Sequence, residues 1–159
     1  MKISIVMTVY NGEKYLKEQI DSFLNQTLLP NEIIIADDCS SDKTIEIIEK
    51  YKKNFPNKIK IFKNEHNLGF TKNFEKAISK SSGDIIFLSD QDDVWYKNKI
   101  QTVIKKFKTN PNIDLIIHDA DLVNENLKKT NHSAISQIVL GFNNTDVFIT
   151  GALTSFNKK

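Results

Sequence analysis

The chain has little cysteine and no long apolar run. Cys39 is the single cysteine among 159 residues, so no intrachain disulfide can form and nothing indicates an oxidising compartment. No apolar run approaches the ~20 residues that a membrane-spanning helix needs. The apolar N-terminus runs into polar Thr8 without a small-residue cleavage site, which indicates a strand rather than a signal peptide. We therefore expect a cytoplasmic protein.

An excess of one charge is also lacking. The 22 basic and 20 acidic residues leave a net charge of +2, without the concentrated basic patch of nucleic-acid-binding proteins, so we expect no nucleic-acid partner. Lysines cluster at Lys50, Lys52 and Lys53 and again at Lys105, Lys106 and Lys108. Such clusters indicate solvated helix faces. The alternative is weak peripheral attraction to the anionic inner face of a membrane.

Two glycine-rich phosphate-binding patterns are missing as well. The first strand-to-helix turn is Tyr10-Asn11-Gly12-Glu13, which is not a dinucleotide fingerprint, and no Walker A sequence occurs. A phosphate ligand would therefore be held through a metal ion rather than by a loop of backbone N–H groups.

Short apolar strands alternate with helical patterns along most of the chain. This alternation predicts a single α/β domain, a Rossmann-like three-layer α/β/α sandwich with a mostly parallel central sheet. The predicted strands are Lys2–Val9, Glu32–Ala36, Ile59–Phe62, Ile85–Leu88 and Ile113–His118. The predicted helices are Glu13–Asn25, a helix capped by Asp42, Thr71–Lys80 and Lys97–Lys108. Beyond Asp119 the pattern weakens to a short helix at Ile135–Leu140 and a last strand at Val147–Phe156.

An acidic sequence, Asp90-Gln91-Asp92-Asp93, directly follows the predicted fourth strand. Three carboxylates this close repel one another and raise each other's pKa unless a cation is present. Carboxylate oxygens suit Mg²⁺ or Mn²⁺, and Mg²⁺ usually completes its shell with water and substrate phosphates. The pattern therefore indicates a metal-diphosphate site. The alternative is a strand end followed by a helix with Asp93 as its N-cap.

Polar residues follow four of the predicted strands in the same way. They are Thr8, Tyr10 and Asn11 at and after the end of the first strand, Asp37 and Asp38 after the second, Asp90, Asp92 and Asp93 after the fourth, and His118, Asp119 and Asp121 at and after the end of the fifth. Ligands of open parallel sheets bind beyond the carboxyl ends of the strands, so these residues predict one binding site at that edge. Turn and cap chemistry remains the alternative for each cluster taken alone.

Four segments in order resemble the motifs of family 2 glycosyltransferases of the GT-A fold. They are Ile5-Val6-Met7-Thr8-Val9-Tyr10-Asn11-Gly12, Ile34-Ile35-Ala36-Asp37-Asp38-Cys39-Ser40-Ser41-Asp42, Asn67-Leu68-Gly69-Phe70 with Asn73, and Leu88-Ser89-Asp90-Gln91-Asp92-Asp93-Val94-Trp95. The last has the D-Q-D-D-x-W form of a rhamnosyltransferase-like subgroup. A receiver-like signalling domain would instead carry paired acids after its first strand, where this chain has Tyr10-Asn11-Gly12.

The resemblance implies a role for each matching residue. Thr8, Tyr10, Asn11 and Gly69 would belong to the nucleotide site, with Tyr10 stacking on the base. Asp37 would accept the N3–H of uracil or thymine, which an acceptor-only carboxylate can do. Asp38 would lie beside it, and Gln91 would also belong to the nucleotide site. Asp90 would approach the ribose and the metal, and Asp92 would hold the Mg²⁺ or Mn²⁺ that bridges the diphosphate.

The implied activity is inverting hexosyl transfer from a UDP- or dTDP-linked sugar to a hydroxyl of a glycan or lipid-linked precursor of a cell-envelope polysaccharide. In the family the catalytic base follows the segment resembled here by Thr150–Lys159, and Asp119 and Asp121 are weak substitutes. We therefore expect residues 1–159 to form a nucleotide-sugar-binding domain truncated before that base, with a poorly covered last strand that favours self-association. The alternative is a catalytically inactive module that binds nucleotide and metal.

Overall fold

The computed structural model describes residues 1–124, 127–134 and 154–158. Within these ranges the chain forms eight strands and four helices. In chain order they are β1 (Ile3–Val9), α1 (Leu16–Leu24), β2 (Glu32–Asp37), α2 (Thr44–Asn54), β3 (Ile59–Lys63), α3 (Phe70–Ser79), β4 (Ile85–Ser89), α4 (Lys99–Thr109), β5 (Leu115–Ile117), β6 (Asp121–Val123), β7 (Lys129–Ser133) and β8 (Thr154–Asn157). None of the four helices is both long enough and apolar enough to cross a membrane.

Six of the strands form one mixed sheet in the order β3-β2-β1-β4-β8-β5. β1 pairs in parallel with β2 on one side and with β4 on the other, and β2 pairs in parallel with β3. β8 runs antiparallel between β4 and β5. The mostly parallel sheet and its flanking helices confirm the fold class predicted from the alternation of strands and helices.

Helices cover both faces of this sheet. On one face, buried side chains of α1, α2 and α4 pack against strand residues such as Ile5, Ile35 and Phe87. On the other face, Phe74 and Ala77 of α3 pack against the intervening strand residues. Every residue of β1 and β2 is buried as a result. Burial on both faces explains why β1, β2 and β4 read as largely continuous apolar runs, whereas the edge strand β3 carries the exposed Lys60.

The strands and helices predicted up to Lys108 are confirmed to within about three residues, a normal uncertainty at element ends. One correction concerns α2, whose predicted N-cap was Asp42. The helix begins at Thr44 with Lys43 in the cap position. Asp42 nevertheless accepts a hydrogen bond from the Thr44 N–H at 2.9 Å, so its side chain still satisfies a free donor of the first turn.

A second correction concerns Asp93 as a helix N-cap, which was the alternative explanation of the acidic sequence. α4 begins only at Lys99, with Asn98 in the cap position. Between Asp93 and the helix lies Trp95, which is buried against the core. The Asp93 carboxylate therefore does not cap the helix that follows.

The region beyond Asp119 holds two strands that the sequence pattern did not reveal. β6 and β7 pair in antiparallel fashion as a separate two-stranded sheet. The predicted last strand is present as β8, which starts at Thr154 within the described residues. The predicted helix at Ile135–Leu140 and the first part of the predicted last strand, residues 147–153, lie outside the described residues.

A buried carboxylate organises the edge of the sheet opposite to the predicted site. Glu32 starts β2 and is 3% exposed. One of its oxygens accepts hydrogen bonds from the Ser4 hydroxyl at 2.6 Å and the Ser82 N–H at 2.6 Å, and the other pairs with Lys60 at 2.7 Å. Burial alone would raise the pKa of Glu32. The bonds from Lys60, Ser4 and Ser82 outweigh it and lower the pKa to about 2.

Glu32→Gln is expected to lower the free energy of unfolding at neutral pH by about 3–4 kcal/mol, because folding lowers the pKa of Glu32 from 4.5 to about 2 and one pKa unit corresponds to about 1.4 kcal/mol. The folded-state pKa lies below the ordinary value of 4.5. The stabilisation is therefore fully present above the ordinary value and is lost as the pH falls toward about 2. Urea unfolding at pH 7 and at acid pH measures it.

The matched control for Glu32 is Glu65→Gln, at an exposed loop position. The control should leave the acid dependence of stability unchanged. An equal stability difference between Glu32→Gln and the wild type at both pH values would contradict the assignment.

Candidate functional site

The carboxyl ends of β1 and β4 border a cavity at the switch point of the sheet. From β1 the chain builds β2 and β3 on one side, and it then returns to place β4 on the other side. Ligands of open α/β sheets bind at such a point. The cavity there has a volume of about 460 Å³. Seven of the predicted site residues line it, namely Thr8, Tyr10, Asp38, Gly69, Asp90, Gln91 and Asp92.

Four further lining residues were not assigned to the site from the sequence. One is Val9, the last residue of β1, and the others are Asn67 in the loop before α3 and Phe70 and Asn73 in the first turn of α3. The last three belong to the resembled segment Asn67-Leu68-Gly69-Phe70 with Asn73, so the signal was present in the sequence. Phe70 is 60% exposed and contributes an aromatic ring to the rim of the cavity.

The loop after β1 presents Tyr10 and anchors Asn11. The Tyr10 side chain is about half exposed, so its ring is accessible for stacking. Asn11 has a φ of 49°, a left-handed conformation that asparagine tolerates better than most residues. Its N–H donates to the Ser40 hydroxyl at 2.9 Å, and its side-chain oxygen accepts from the Ser41 N–H at 2.9 Å. Asn11 therefore fastens the loop after β1 to the loop after β2, and it is not among the residues that line the cavity.

Asp37 ends β2 as a buried carboxylate with a free acceptor. The residue is 3% exposed. One oxygen accepts the Ser40 N–H at 3.2 Å, whereas the other has no hydrogen-bond partner among the described residues. An unsatisfied buried acceptor is rare in proteins and calls for an explanation, such as a ligand donor. Asp37 is not itself among the lining residues, but it directly precedes Asp38, which is.

Asp38 organises the loop before α3. One carboxylate oxygen accepts the Leu68 N–H at 2.8 Å and the Asn64 side-chain amide at 2.7 Å. The other accepts the Gly69 N–H at 2.9 Å. Gly69 has a φ of 78°, which favours glycine, and its backbone forms the cap position of α3. Asp38, which was predicted to belong to the nucleotide site, thus lines the cavity. Its oxygens also fix the conformation of the loop that contains Leu68 and Gly69.

A buried amide network supports this carboxylate. Asn64 donates to the side-chain oxygen of Asn73 at 2.9 Å, and Asn73 donates to the Ala36 carbonyl at 3.0 Å. Lys76 donates to the Asn64 side-chain oxygen at 2.8 Å. The bonds join β2, the loop after β3 and α3. Because buried polar groups are costly when left unpaired, the complete network gives this wall of the cavity one well-defined arrangement.

The acidic sequence after β4 brings Asp90 and Asp92 to the cavity. Asp90 is partly buried and Asp92 is exposed. Burial, and next the charge of Asp92, raise the pKa of the Asp93 carboxyl, while Lys99 opposes them. Among the described residues, no group of three or more Asp, Glu, His or Cys side chains is arranged to hold a metal by itself. The pair Asp90 and Asp92 instead fits an ion that also binds substrate phosphates, because Mg²⁺ usually takes only one or two carboxylates.

A lysine beneath the acidic loop was missed by sequence reasoning. The Lys99 ammonium lies 3.7 Å from the centroid of the Trp95 ring. Burial lowers the pKa of Lys99 to about 7, and the charge of Asp93 partly opposes this. Trp95 itself packs edge-on against Phe23, with centroids 4.7 Å apart. Lysine at the start of a helix carries no sequence signal for such burial.

The two weak base candidates lie away from the cavity. Asp121 is ion-paired with Lys129 at 2.7 Å and accepts the Tyr96 hydroxyl, and both partners lower the pKa of its carboxyl. A carboxylate held ionised in this way is a weak proton acceptor. Asp119 accepts the N–H of Ala120 at 2.8 Å. Burial and the nearby Lys99 charge lower the pKa of the neighbouring His118. None of these three side chains lines the cavity.

Comparison with known proteins places the chain in a family. The model of Glycosyl transferase family 2 matches residues 4–156. Among curated relatives, the dTDP-rhamnosyl transferase RfbG of Shigella flexneri is 38% identical over 102 residues, which cover 62% of this chain and 35% of RfbG.

Two solved structures show the same fold. S. aureus TarS 1-349 in complex with UDP superposes with a TM-score of 0.71 at 29% identity, over 79% of this chain and 37% of that one. A mannosyltransferase from Pyrobaculum calidifontis in complex with GDP-Man and Mn²⁺ superposes with a TM-score of 0.66 at 16% identity, over 77% of this chain and 36% of that one. The chain therefore spans less than half the length of these relatives.

Asp38→Asn is expected to loosen the loop before α3, because an amide cannot accept from three N–H donors as the carboxylate does. Amide hydrogen exchange at Leu68 and Gly69 should accelerate at least about tenfold, equivalent to about 1.4 kcal/mol of lost protection. The control is Asp84→Asn, an exposed aspartate at the opposite edge of the sheet whose carboxylate accepts the Lys2 N–H. Unchanged exchange at both amides would contradict the role assigned to Asp38.

Proposed function

Because the chain belongs to glycosyl transferase family 2, we propose that the cavity between β1 and β4 binds a nucleotide-diphospho-sugar together with Mg²⁺ or Mn²⁺. Residues 1–159 form one nucleotide-sugar-binding domain of GT-A fold. The observation that carries the proposal is the joint lining of one cavity by an accessible aromatic residue, Tyr10, and two carboxylates, Asp90 and Asp92.

The nucleobase end of the ligand lies against the loop after β1. Tyr10 stacks on the base and Thr8 lines the pocket below it. The free oxygen of buried Asp37 accepts the N3–H of uracil or thymine, which removes an otherwise unsatisfied acceptor. The bound ligands of the solved structures and the donor of RfbG support a nucleotide ligand, and we propose a UDP- or dTDP-linked sugar.

The diphosphate end lies against the acidic loop. Asp92 holds the metal and Asp90 approaches both the ribose and the metal. When bound, the ion supplies Lewis-acid stabilisation of the leaving diphosphate. The complete reaction we propose is inverting sugar transfer, of the rhamnosyltransferase-like subgroup, to a hydroxyl of a glycan or lipid-linked precursor of a cell-envelope polysaccharide.

A second candidate function is nucleotide and metal binding without transfer. It is favoured by the geometry of the described acids outside the cavity, because Asp121 is ion-paired and neither it nor Asp119 lines the cavity. Incubation of the chain with activated sugars and acceptor glycans separates the two candidates. Transfer above background would exclude the binding-only function and would make Asp119 the first candidate for the catalytic base.

Binding of UDP or dTDP is expected to require a divalent ion, because the carboxylates at this edge would otherwise repel the diphosphate. EDTA should abolish binding. Asp92→Asn should weaken it at least about tenfold, or about 1.4 kcal/mol, in calorimetric titrations with Mn²⁺. Asp84→Asn serves as the control at the opposite edge of the sheet. Equal affinity with and without metal would exclude the assignment of Asp90 and Asp92.

Asp37→Ala is expected to weaken UDP or dTDP binding by about 1.5–3 kcal/mol, the contribution of a hydrogen bond to a charged group. The affinity for Mn²⁺ measured without nucleotide should hardly change, because Asp37 recognises the base. A parallel loss of metal affinity would show that Asp37 belongs to the metal shell instead.

A further inference from the structure

The strands β1 and β4 separate where the cavity begins. Their parallel pairing runs from Ile3 opposite Ile85 to Met7 opposite Ser89 and continues no further. β1 meanwhile stays paired with β2 up to Val9. The loops that follow β1 and β4 therefore lie on opposite sides of a gap in the sheet. The first carries Tyr10, and the second carries Asp90 and Asp92.

Gln91 closes this gap with its side chain. Its side-chain oxygen accepts the Tyr10 N–H at 2.9 Å, and its amide nitrogen donates to the Tyr10 carbonyl at 3.2 Å. The two bonds to one residue reproduce the hydrogen-bonded pair of an antiparallel ladder. The side-chain amide thus continues the sheet where the backbone of β4 has left it.

Gly12 provides the space that this amide needs. A Cβ at position 12 would lie 2.5 Å from the Gln91 oxygen and 2.9 Å from its side-chain carbonyl carbon. Real Cβ contacts are essentially never shorter than 3.0 Å, so a larger residue would displace the amide. Gly12 is buried, and its N–H donates to the Thr44 hydroxyl at 2.8 Å, which fixes its position against α2.

The other side of the same loop is tied to the loop after β2. Besides the bonds of Asn11 and Gly12, the Glu13 N–H donates to Asp42 at 3.1 Å, and the Glu13 carboxylate accepts the Lys43 N–H at 2.9 Å. The loop after β1 is therefore anchored toward β2 by several contacts. Toward β4, the Gln91 amide sets the distance between the loop after β1 and the acidic sequence.

We propose that Gln91 is a positioning residue that fixes the spacing between the base-stacking Tyr10 and the diphosphate-metal carboxylates. The inference rests on the function proposed above. A nucleoside diphosphate joins its base and its diphosphate by a short covalent link, so it gains most affinity over its separate parts when the distance between the two subsites matches the span of that link. The Gln91 amide presets that distance before the ligand arrives.

The fit between Gln91 and Gly12 can be tested without any ligand. Gly12→Ala should lower the Tm by about 2–4 °C in the wild-type background, because the displaced Gln91 amide loses its bonds to Tyr10, whereas in a Gln91→Ala background the same change should cost less than half as much. If Gly12→Ala alone fails to fold, folding of the double variant supports the same fit. Equal losses in both backgrounds, or a double variant that also fails to fold, would overturn the proposal.

The positioning role is tested by comparing a linked ligand with its parts. Gln91→Met keeps the length of the side chain and removes both hydrogen bonds. Affinities for UDP with Mn²⁺, for uridine, and for pyrophosphate with Mn²⁺ are measured by calorimetry or NMR titration. We expect a loss of about tenfold or more for UDP and changes within about threefold for uridine and pyrophosphate, because only the linked ligand depends on the spacing. Gln101→Met is the control, at an exposed glutamine in α4.

The other outcomes of this titration would overturn the proposal or the function on which it rests. An unchanged affinity of Gln91→Met for UDP overturns the proposal. Equal losses for UDP and uridine, or for UDP and pyrophosphate, also overturn it, because Gln91 would then contact the base or the metal-diphosphate group directly. Failure of the wild-type chain to bind either UDP or dTDP would instead exclude the proposed function and its role for Gln91, while the Gly12–Gln91 fit would remain measurable by unfolding.

Discussion

The parallel pairing of β1 with both β2 and β4 is the constraint on which the rest of the molecule depends. All seven residues of β1 are buried, so both faces of this strand need helices above and below it. The strands on its two sides come from different parts of the chain, since β2 and β3 precede the crossing to β4. The loops that follow β1 and β4 therefore lie on opposite sides of a gap at the end of the sheet, and neither loop fills it. The cavity is therefore a consequence of the topology before any side chain is considered.

Aspartate and glutamate serve two distinct purposes around this sheet. Glu32 and Asp38 lie just before and just after the run of apolar residues in β2, and both are almost fully buried and saturated with hydrogen bonds from the protein. They hold loops in place. Asp92 is exposed at the cavity, and Asp37 keeps one buried oxygen without a partner among the described residues. Whether the carboxylate oxygens are already hydrogen-bonded within the protein, rather than whether the residue is aspartate or glutamate, therefore distinguishes the structural acids from those that can receive a ligand.

The sequence was informative where local pattern decides the outcome. Continuous apolar runs located β1, β2 and β4, and the polar residues at the ends of those runs located the rim of the cavity. Three features could not be predicted because they depend on contacts between distant segments. Asp38 bonds to Leu68 and Gly69 about thirty residues away, Gln91 bonds to Tyr10 across the sheet, and the Lys99 ammonium packs on the Trp95 ring. The strand β6 was missed because it has only three residues, and β7 because all five of its residues are polar, so neither shows a periodicity.

The stacking of Lys99 on Trp95 gives the molecule a built-in optical reporter. Trp95 is the single tryptophan of the chain, is 6% exposed and lies three positions after Asp92. Indole emission responds to nearby charge, and the ammonium 3.7 Å above this ring has its pKa lowered to about 7 by burial. A change in the protonation of Lys99 near neutral pH is therefore expected to alter the emission of this single tryptophan.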